Sequence, residues 1–125
     1  MIWLAVAVAG ALGATTRYLV DHLVSSRLHG LLPWGTFLIN VSGSLLAGII
    51  ASLTAAQVLS PGWAQVLAGG FLGAYTTFST AMYESVRLLE DGARREAAIN
   101  LVLPLLVSVG AAAIGWQLGA LLTTR

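Results

Sequence analysis

Apolar residues occur along this chain in four long runs that are separated by short polar stretches. Each run approaches or exceeds the about 20 residues that a helix needs to cross the hydrocarbon core of a bilayer. The pattern therefore predicts an all-α membrane protein with a single four-helix domain that spans residues 1–125. The predicted helices cover about 2–24, 35–56, 63–89 and 97–122.

The composition agrees with a lipid environment. Hydrophobic residues make up 58% of the chain and charged residues 9%, whereas an average soluble domain has about 25% charged residues. The loops are too short to hold an active site and contain no nucleophile–base set, so we do not expect an enzyme. The net charge of +1 gives no reason to expect a nucleic acid partner. We expect a multi-pass protein of the cell inner or plasma membrane.

The third apolar run contains residues that disfavour a helix. Gly69, Gly70 and Gly73 each lower helix stability by about 1 kcal/mol relative to alanine. Residues 74–80 are rich in hydroxyl side chains, which compete for backbone hydrogen bonds. We predict that this helix is broken at mid-membrane, where discontinuous helices mark ion and substrate sites. An intact helix, with the hydroxyls bonded to the preceding turn, is the alternative.

Neutral polar side chains lie in the other predicted helices. Asn40 is in the second helix, and Asn100 and Ser108 are in the fourth. An unpaired amide is costly in lipid, and the helices contain no pair of acidic groups for acid–base chemistry. This mixture of amides and hydroxyls favours an ion pathway whose selectivity comes from dipoles and constriction.

Arg17 is the basic residue placed deepest in the predicted membrane region. It has two interpretations, which the sequence leaves open. The first is an i,i+4 pair with Asp21, with the guanidinium extended to the interface. The second is a positive vestibule that attracts anions.

Small residues recur at the spacing that lets helix backbones approach each other in a membrane. Gly69 and Gly73 form one such pair, Gly115 and Gly119 form another, and Gly10 with Ala14 is a weaker version. We interpret the fourth-helix pair as a packing feature. Because a chain of this size encloses little internal space, we also expect an oligomer.

Three segments carry motifs in a fixed order. Residues 10–18 are glycine-rich and end in an arginine and an aromatic residue, residues 35–44 read GTFLINVSGS, and residues 70–80 read GFLGAYTTFST. With these motifs the chain resembles, over nearly its whole length, the small fluoride channels called Fluc or CrcB proteins. Each motif alone would be weak, but three at suitable spacing are specific.

The resemblance implies a passive fluoride-selective channel that exports fluoride and so relieves its toxicity. It implies an antiparallel, dual-topology dimer with the fluoride pathways along the subunit interface. It also implies a structural sodium ion where the two broken third helices cross, bound by the backbone carbonyls of Gly73 and Thr76.

The resemblance also implies roles for side chains. Asn40 would be the pore amide, and Phe78 would line the pathway with its electropositive ring edge. The candidate hydroxyl and amide donors are Thr77, Ser79, Asn100 and Ser108. Glu84 matches a recurrent acidic position after the third motif, and we expect it to have a vestibule or structural role, the same two roles that the position of Arg17 leaves open.

Two features favour a heterodimer with an oppositely oriented paralogue over a homodimer. The family usually has a second phenylalanine where this chain has Ala81. The arginines are also unevenly distributed, which predicts one orientation with the loops 25–34 and 90–96 in the cytoplasm. Arg125 alone lies on the opposite side from the other arginines, which are Arg17, Arg27, Arg87, Arg94 and Arg95.

Two other functions are kept as alternatives. A non-conducting partner subunit that only completes a channel dimer would also explain Ala81. A small multidrug-type exporter would have the same size and dual topology. That class needs a membrane-embedded carboxylate in its first helix, and this chain has none before Asp21.

Overall fold

The computed structural model describes residues 1–124, and these residues fold into helices with no β-strand among them. Arg125 lies outside the described residues. The helical elements, in chain order, are α1 Ile2–Ser25, α2 Trp34–Ala55, α3 Pro61–Ala64, a π-helix Gln65–Leu72, α4 Gly73–Tyr75, α5 Phe78–Glu90 and α6 Arg94–Thr123.

Among the described residues, α1, α2 and α6 are long and apolar enough to cross a membrane. Their most apolar windows have mean hydropathies of 1.4, 1.8 and 2.2. The third predicted crossing is divided among α3, the π-helix, α4 and α5. Helix α6 begins at Arg94, ahead of the predicted position near residue 97, because its charged first turn extends beyond the apolar run. Glu96 in that turn favours the helix N-terminus electrostatically.

The turns on either side of the third segment use residues suited to them. Ser60 caps α3 by accepting a hydrogen bond from the Trp63 N–H at 3.5 Å. Pro61 occupies the first turn, where its missing N–H has no cost. After α5, Gly92 adopts a φ of 77°, a left-handed conformation that glycine reaches without a steric penalty.

Helices α2 and α6 pack backbone against backbone. A Cβ added to Gly48 would meet the carbonyl oxygen of Ala112, and one added to Gly115 would meet the carbonyl oxygen of Leu45. Gly119 also lies against α2. The fourth-helix pair that the sequence assigned to packing therefore makes its contact within the chain.

Glycines also bring α1 close to the third segment, but they are not the predicted pair, Gly69 and Gly73. Gly13 lies against the π-helix backbone at Phe71, and Gly70 lies against α1. Gly69 and Gly73 are exposed, and the atoms nearest to them belong to their own segment. These two glycines therefore leave accessible backbone on the outside of the chain.

The interior of one chain is small. Its buried apolar cluster consists of Ile39, Leu72 and Tyr75. Large apolar side chains are exposed along the helices, among them Leu12, which is 59% exposed. Apolar side chains exposed along whole helices indicate contact with a membrane or with another protein.

Candidate functional site

The third membrane segment leaves the helical conformation at two residues. Thr76 has φ −80° and ψ 157°, and Thr77 has φ −151° and ψ 122°. The last helical hydrogen bond before them runs from the Thr76 N–H to the Leu72 carbonyl at 2.9 Å. Among the described residues, the carbonyls of residues 73–76 accept no hydrogen bond. A group of free backbone acceptors therefore stands at the end of α4.

Asn40 of α2 binds the backbone at this interruption. Its Nδ2 donates to the Thr77 carbonyl at 2.9 Å, and its Oδ1 accepts from the Thr77 N–H at 2.8 Å. The two bonds fix the orientation of the amide, because a flipped side chain would set donor against donor and acceptor against acceptor.

Hydroxyl groups gather at the start of α5. Thr77 caps the helix by accepting a bond from the Thr80 N–H at 3.2 Å. Its hydroxyl lies 3.0 Å from the Thr80 hydroxyl and 3.4 Å from the Ser79 hydroxyl. The next residue, Phe78, is 75% exposed. The N-terminus of a helix carries partial positive charge, which favours anions nearby.

A cavity of about 230 Å³ opens beside this helix start. It brings together most of the residues that the sequence analysis proposed for a pathway. The wall of the cavity also includes Thr76 and Ala81, but it does not include Ser79 or Gly73. The predicted residues that line it are Asn40, Thr77, Phe78, Asn100 and Ser108.

The α6 wall of this cavity contains groups without partners. The Ser108 hydroxyl is buried and has no hydrogen-bond partner among the described residues. Pro104, inside α6, has no N–H to donate to the Asn100 carbonyl one turn earlier. A buried hydroxyl without a partner requires an explanation, such as a bound water or ion.

Asn100 is occupied by the protein itself. Its Nδ2 donates to the Ser85 hydroxyl at 2.8 Å and to the Ala81 carbonyl at 3.2 Å. These are two acceptors, as many as the amide nitrogen has N–H groups. In this arrangement Asn100 joins α6 to α5 and has no N–H free for an anion in the cavity.

Glu84 and Arg17 lie away from the cavity. The Thr36 hydroxyl donates to Oε1 of Glu84 at 2.8 Å, whereas Oε2 is buried without a partner among the described residues. The structure describes no hydrogen bond from Arg17 to Asp21, whose Oδ1 accepts from the Ser25 hydroxyl at 3.4 Å. The pairing of Arg17 thus receives no support, and its vestibule role remains a prediction.

Several contacts were not anticipated from the sequence. Thr36 bonds to Glu84, which lies 48 positions away in the chain. Ser85 bonds to Asn100, which lies 15 positions away. Pro104 was visible as a proline within an apolar run. It lies 64 positions after Asn40 in the chain, and nothing in the sequence indicated that the two residues face the same cavity.

The three long apolar helices indicate a multi-pass membrane protein, and a cavity lined in part by amide and hydroxyl side chains suits the class of channels and transporters. The family described as CrcB-like protein, Camphor Resistance (CrcB), matches residues 4–116, and the chain belongs to this family.

Relatives of the chain are named as fluoride-specific ion channels. "Fluoride-specific ion channel FluC 1" of Frankia casuarinae is 43% identical over 120 residues, 92% of this chain and 93% of the relative. The protein of the same name from Leifsonia xyli subsp. xyli is 43% identical over 97% of this chain and 88% of the relative. "Fluoride-specific ion channel FluC 2" of Clostridium acetobutylicum is 37% identical over 95% of each chain.

Proposed function

We propose that this chain is a subunit of a fluoride-specific ion channel of the cell membrane, which lets fluoride leave the cell passively. The names of its relatives support this function and speak against an enzyme. The observation that carries the proposal is the cavity lined by Asn40, the start of α5 and Ser108, whose buried hydroxyl has no partner among the described residues.

The cavity offers donors for a small, strongly hydrated anion. Asn40 uses one N–H on Thr77, and an amide nitrogen has a second. The Thr77 oxygen accepts the capping bond, and its hydrogen can be given either to the Thr80 or Ser79 hydroxyl or to an anion. The Ser108 hydroxyl has no partner among the described residues. The exposed ring of Phe78 has an electropositive edge. Such groups could replace water around fluoride at close range.

The free carbonyls of Gly73 and Thr76 fit the sodium ion that the family resemblance implies. Unwound backbone carbonyls coordinate sodium in discontinuous membrane helices, and these two accept no bond from the described residues. Bound there, sodium would supply positive charge that offsets repulsion at a dimer centre. The residues that hold it would be these two, together with their counterparts in a second subunit.

A second, oppositely oriented subunit would cover groups that lipid cannot satisfy. The exposed hydroxyl of Ser79 and the accessible backbone at Gly69 and Gly73 lie on the outside of the third segment. Unsatisfied polar groups are costly in hydrocarbon. A dimer in which two such segments cross at mid-membrane would bury all of them.

The partner is a paralogue in our proposal, because this chain has Ala81 and an uneven distribution of arginines. Ala81 lines the cavity, where it presents only a methyl group. The alternative that this observation also favours is a subunit that completes a dimer without conducting. An exporter is less well supported, since no carboxylate precedes Asp21.

Fluoride efflux from proteoliposomes, followed with a fluoride electrode, tests these functions. A potassium gradient with valinomycin supplies the voltage, and no proton gradient is imposed. Efflux with the chain alone or with its paralogue supports the channel. Efflux that appears only when the paralogue is present supports the heterodimer. Efflux that requires a proton gradient would contradict passive conduction. Conduction carried wholly by the paralogue's own dimers would contradict a role of this chain in the conducting dimer.

A further inference from the structure

We infer that Asn40 is a positioning residue that holds the third segment open at Thr77, in addition to any contact it makes with an ion. This inference rests on the proposed channel function, because it concerns the same site. The reason is that Asn40 takes both backbone hydrogen-bonding groups of one residue, the N–H at 2.8 Å and the carbonyl at 2.9 Å.

The position of these bonds determines where the helix stops. In a continuous helix the Thr77 N–H would donate to the carbonyl four residues earlier, which is that of Gly73. The preceding donor, Thr76 N–H, still follows this rule and bonds Leu72 at 2.9 Å. The change occurs at the next residue, where Asn40 replaces Gly73 as acceptor. Asn40 therefore releases the Gly73 carbonyl.

Other residues of α2 hold the segment just before the break. The Ser42 hydroxyl donates to the Leu38 carbonyl at 2.7 Å and lies 3.0 Å from the Tyr75 hydroxyl. Because the hydrogen of Ser42 is already used, Tyr75 is the donor in that pair. Gly43 has no side chain, and a Cβ there would collide with Thr76. Helix α2 thus binds residues 75–77 at three consecutive points.

These contacts also aim Asn40. With Oδ1 and one N–H held by Thr77, the amide plane is fixed, and the second N–H is left for the cavity that Asn40 lines. The same residue thus sets the backbone opening and directs a donor toward the ion pathway. Loss of the clamp would therefore disturb the free carbonyls as well as the cavity.

Amide hydrogen exchange at Thr77 tests the clamp without any measurement of conduction. Asn40→Ala should raise the exchange rate of this amide by roughly tenfold, because the bond is one of modest net strength. Ser44→Ala is the matched control, because Ser44 lines the same cavity one turn further along α2. An unchanged rate in Asn40→Ala would overturn the inference, as would an equal rise in Ser44→Ala.

A backbone ester tests the same bond from the other side, and if Asn40→Ala does not fold, the efflux of the ester protein alone decides. Replacing Thr77 by its α-hydroxy acid removes the N–H and leaves Asn40 intact. We expect fluoride efflux to fall as far as in Asn40→Ala, with little further loss when both changes are combined. Unchanged efflux in the ester protein would overturn the inference. So would a combined variant in which the fold-losses of efflux from the two single changes multiply. If the unaltered chain conducts neither alone nor together with its paralogue, the proposed function fails, while exchange at Thr77 still decides the role of Asn40.

Discussion

The amide nitrogen of Asn100 donates a hydrogen bond of 2.8 Å to the hydroxyl of Ser85, and this bond joins α6 to α5 beside the cavity. The side chains are 5% and 2% exposed. Buried groups of this kind have no alternative partner in hydrocarbon, so the pair contributes to the stability of the fold more than to the chemistry of the cavity.

We predict that Asn100→Ala lowers the free energy of unfolding by about 1–2 kcal/mol, the range for interhelical polar contacts in membranes. Ser85→Ala should cost a similar amount, and the double variant little more, because both changes remove the same bond. Unfolding in detergent measures all three variants. Losses that add in the double variant would contradict the assignment of Asn100 to this contact.

Ser108→Ala should show the opposite behaviour. The hydroxyl has no partner within the described residues, so the free energy of unfolding should change by less than about 0.5 kcal/mol. Fluoride efflux should fall by roughly three- to tenfold, the effect of one lost hydrogen bond. Ser108→Thr keeps a hydroxyl and serves as the control. Equal efflux from Ser108→Ala and the unaltered chain would remove Ser108 from the pathway.

The helices and their order could be predicted from the sequence because the spacing of apolar runs reflects the thickness of a bilayer. The place where the third segment unwinds was harder to predict. Gly69 and Gly70 lie within the π-helix, and the extended residues are Thr76 and Thr77. Low helix propensity therefore did not decide where the segment unwinds. The place of unwinding depends on Asn40, which lies 37 positions from Thr77 in the chain.

The candidate site could be predicted only in part, because it too depends on contacts between residues that are distant in the chain. Residue types that suit an anion pathway pointed to Asn40 and Ser108, and the family resemblance pointed to Phe78; all three line one cavity. Residue type could not tell that the N–H groups of Asn100 are used within the protein. Whether a polar group is free or occupied depends on its partners, and these come from other helices.

Gly115→Ala should lower the free energy of unfolding by about 1–3 kcal/mol, the usual cost of overpacking. The added methyl group would collide with the Leu45 carbonyl on α2. Gly110→Ala is a matched control on the same helix, because among the described residues no atom beyond the surrounding helix backbone lies within 4 Å of its added Cβ. Unfolding of both variants in detergent measures the difference. Equal stability of the two variants would contradict the close α2–α6 contact.

Replacing sodium by N-methylglucamine during purification and reconstitution should reduce fluoride efflux and weaken subunit association. The free carbonyls of Gly73 and Thr76 would then have no cation of suitable size to bind. Efflux and cross-linked dimer are measured in the same preparations, with sodium restored as the control. If both are independent of the cation, these carbonyls do not form a sodium site.

Ala81→Phe tests whether this chain lacks an aromatic ring that a partner supplies. A cavity of about 150 Å³ can hold a benzene ring, and the cavity beside Ala81 measures about 230 Å³. If the missing ring limits conduction, the variant reconstituted alone should carry more fluoride than the unaltered chain. Ala81→Leu is the matched control, because it fills the cavity without a ring whose electropositive edge can face an anion. Equal efflux from the two variants would show that bulk alone matters. Full conduction by the unaltered chain would show that no second ring is needed, and the argument for a paralogous partner would then depend on the distribution of arginines alone.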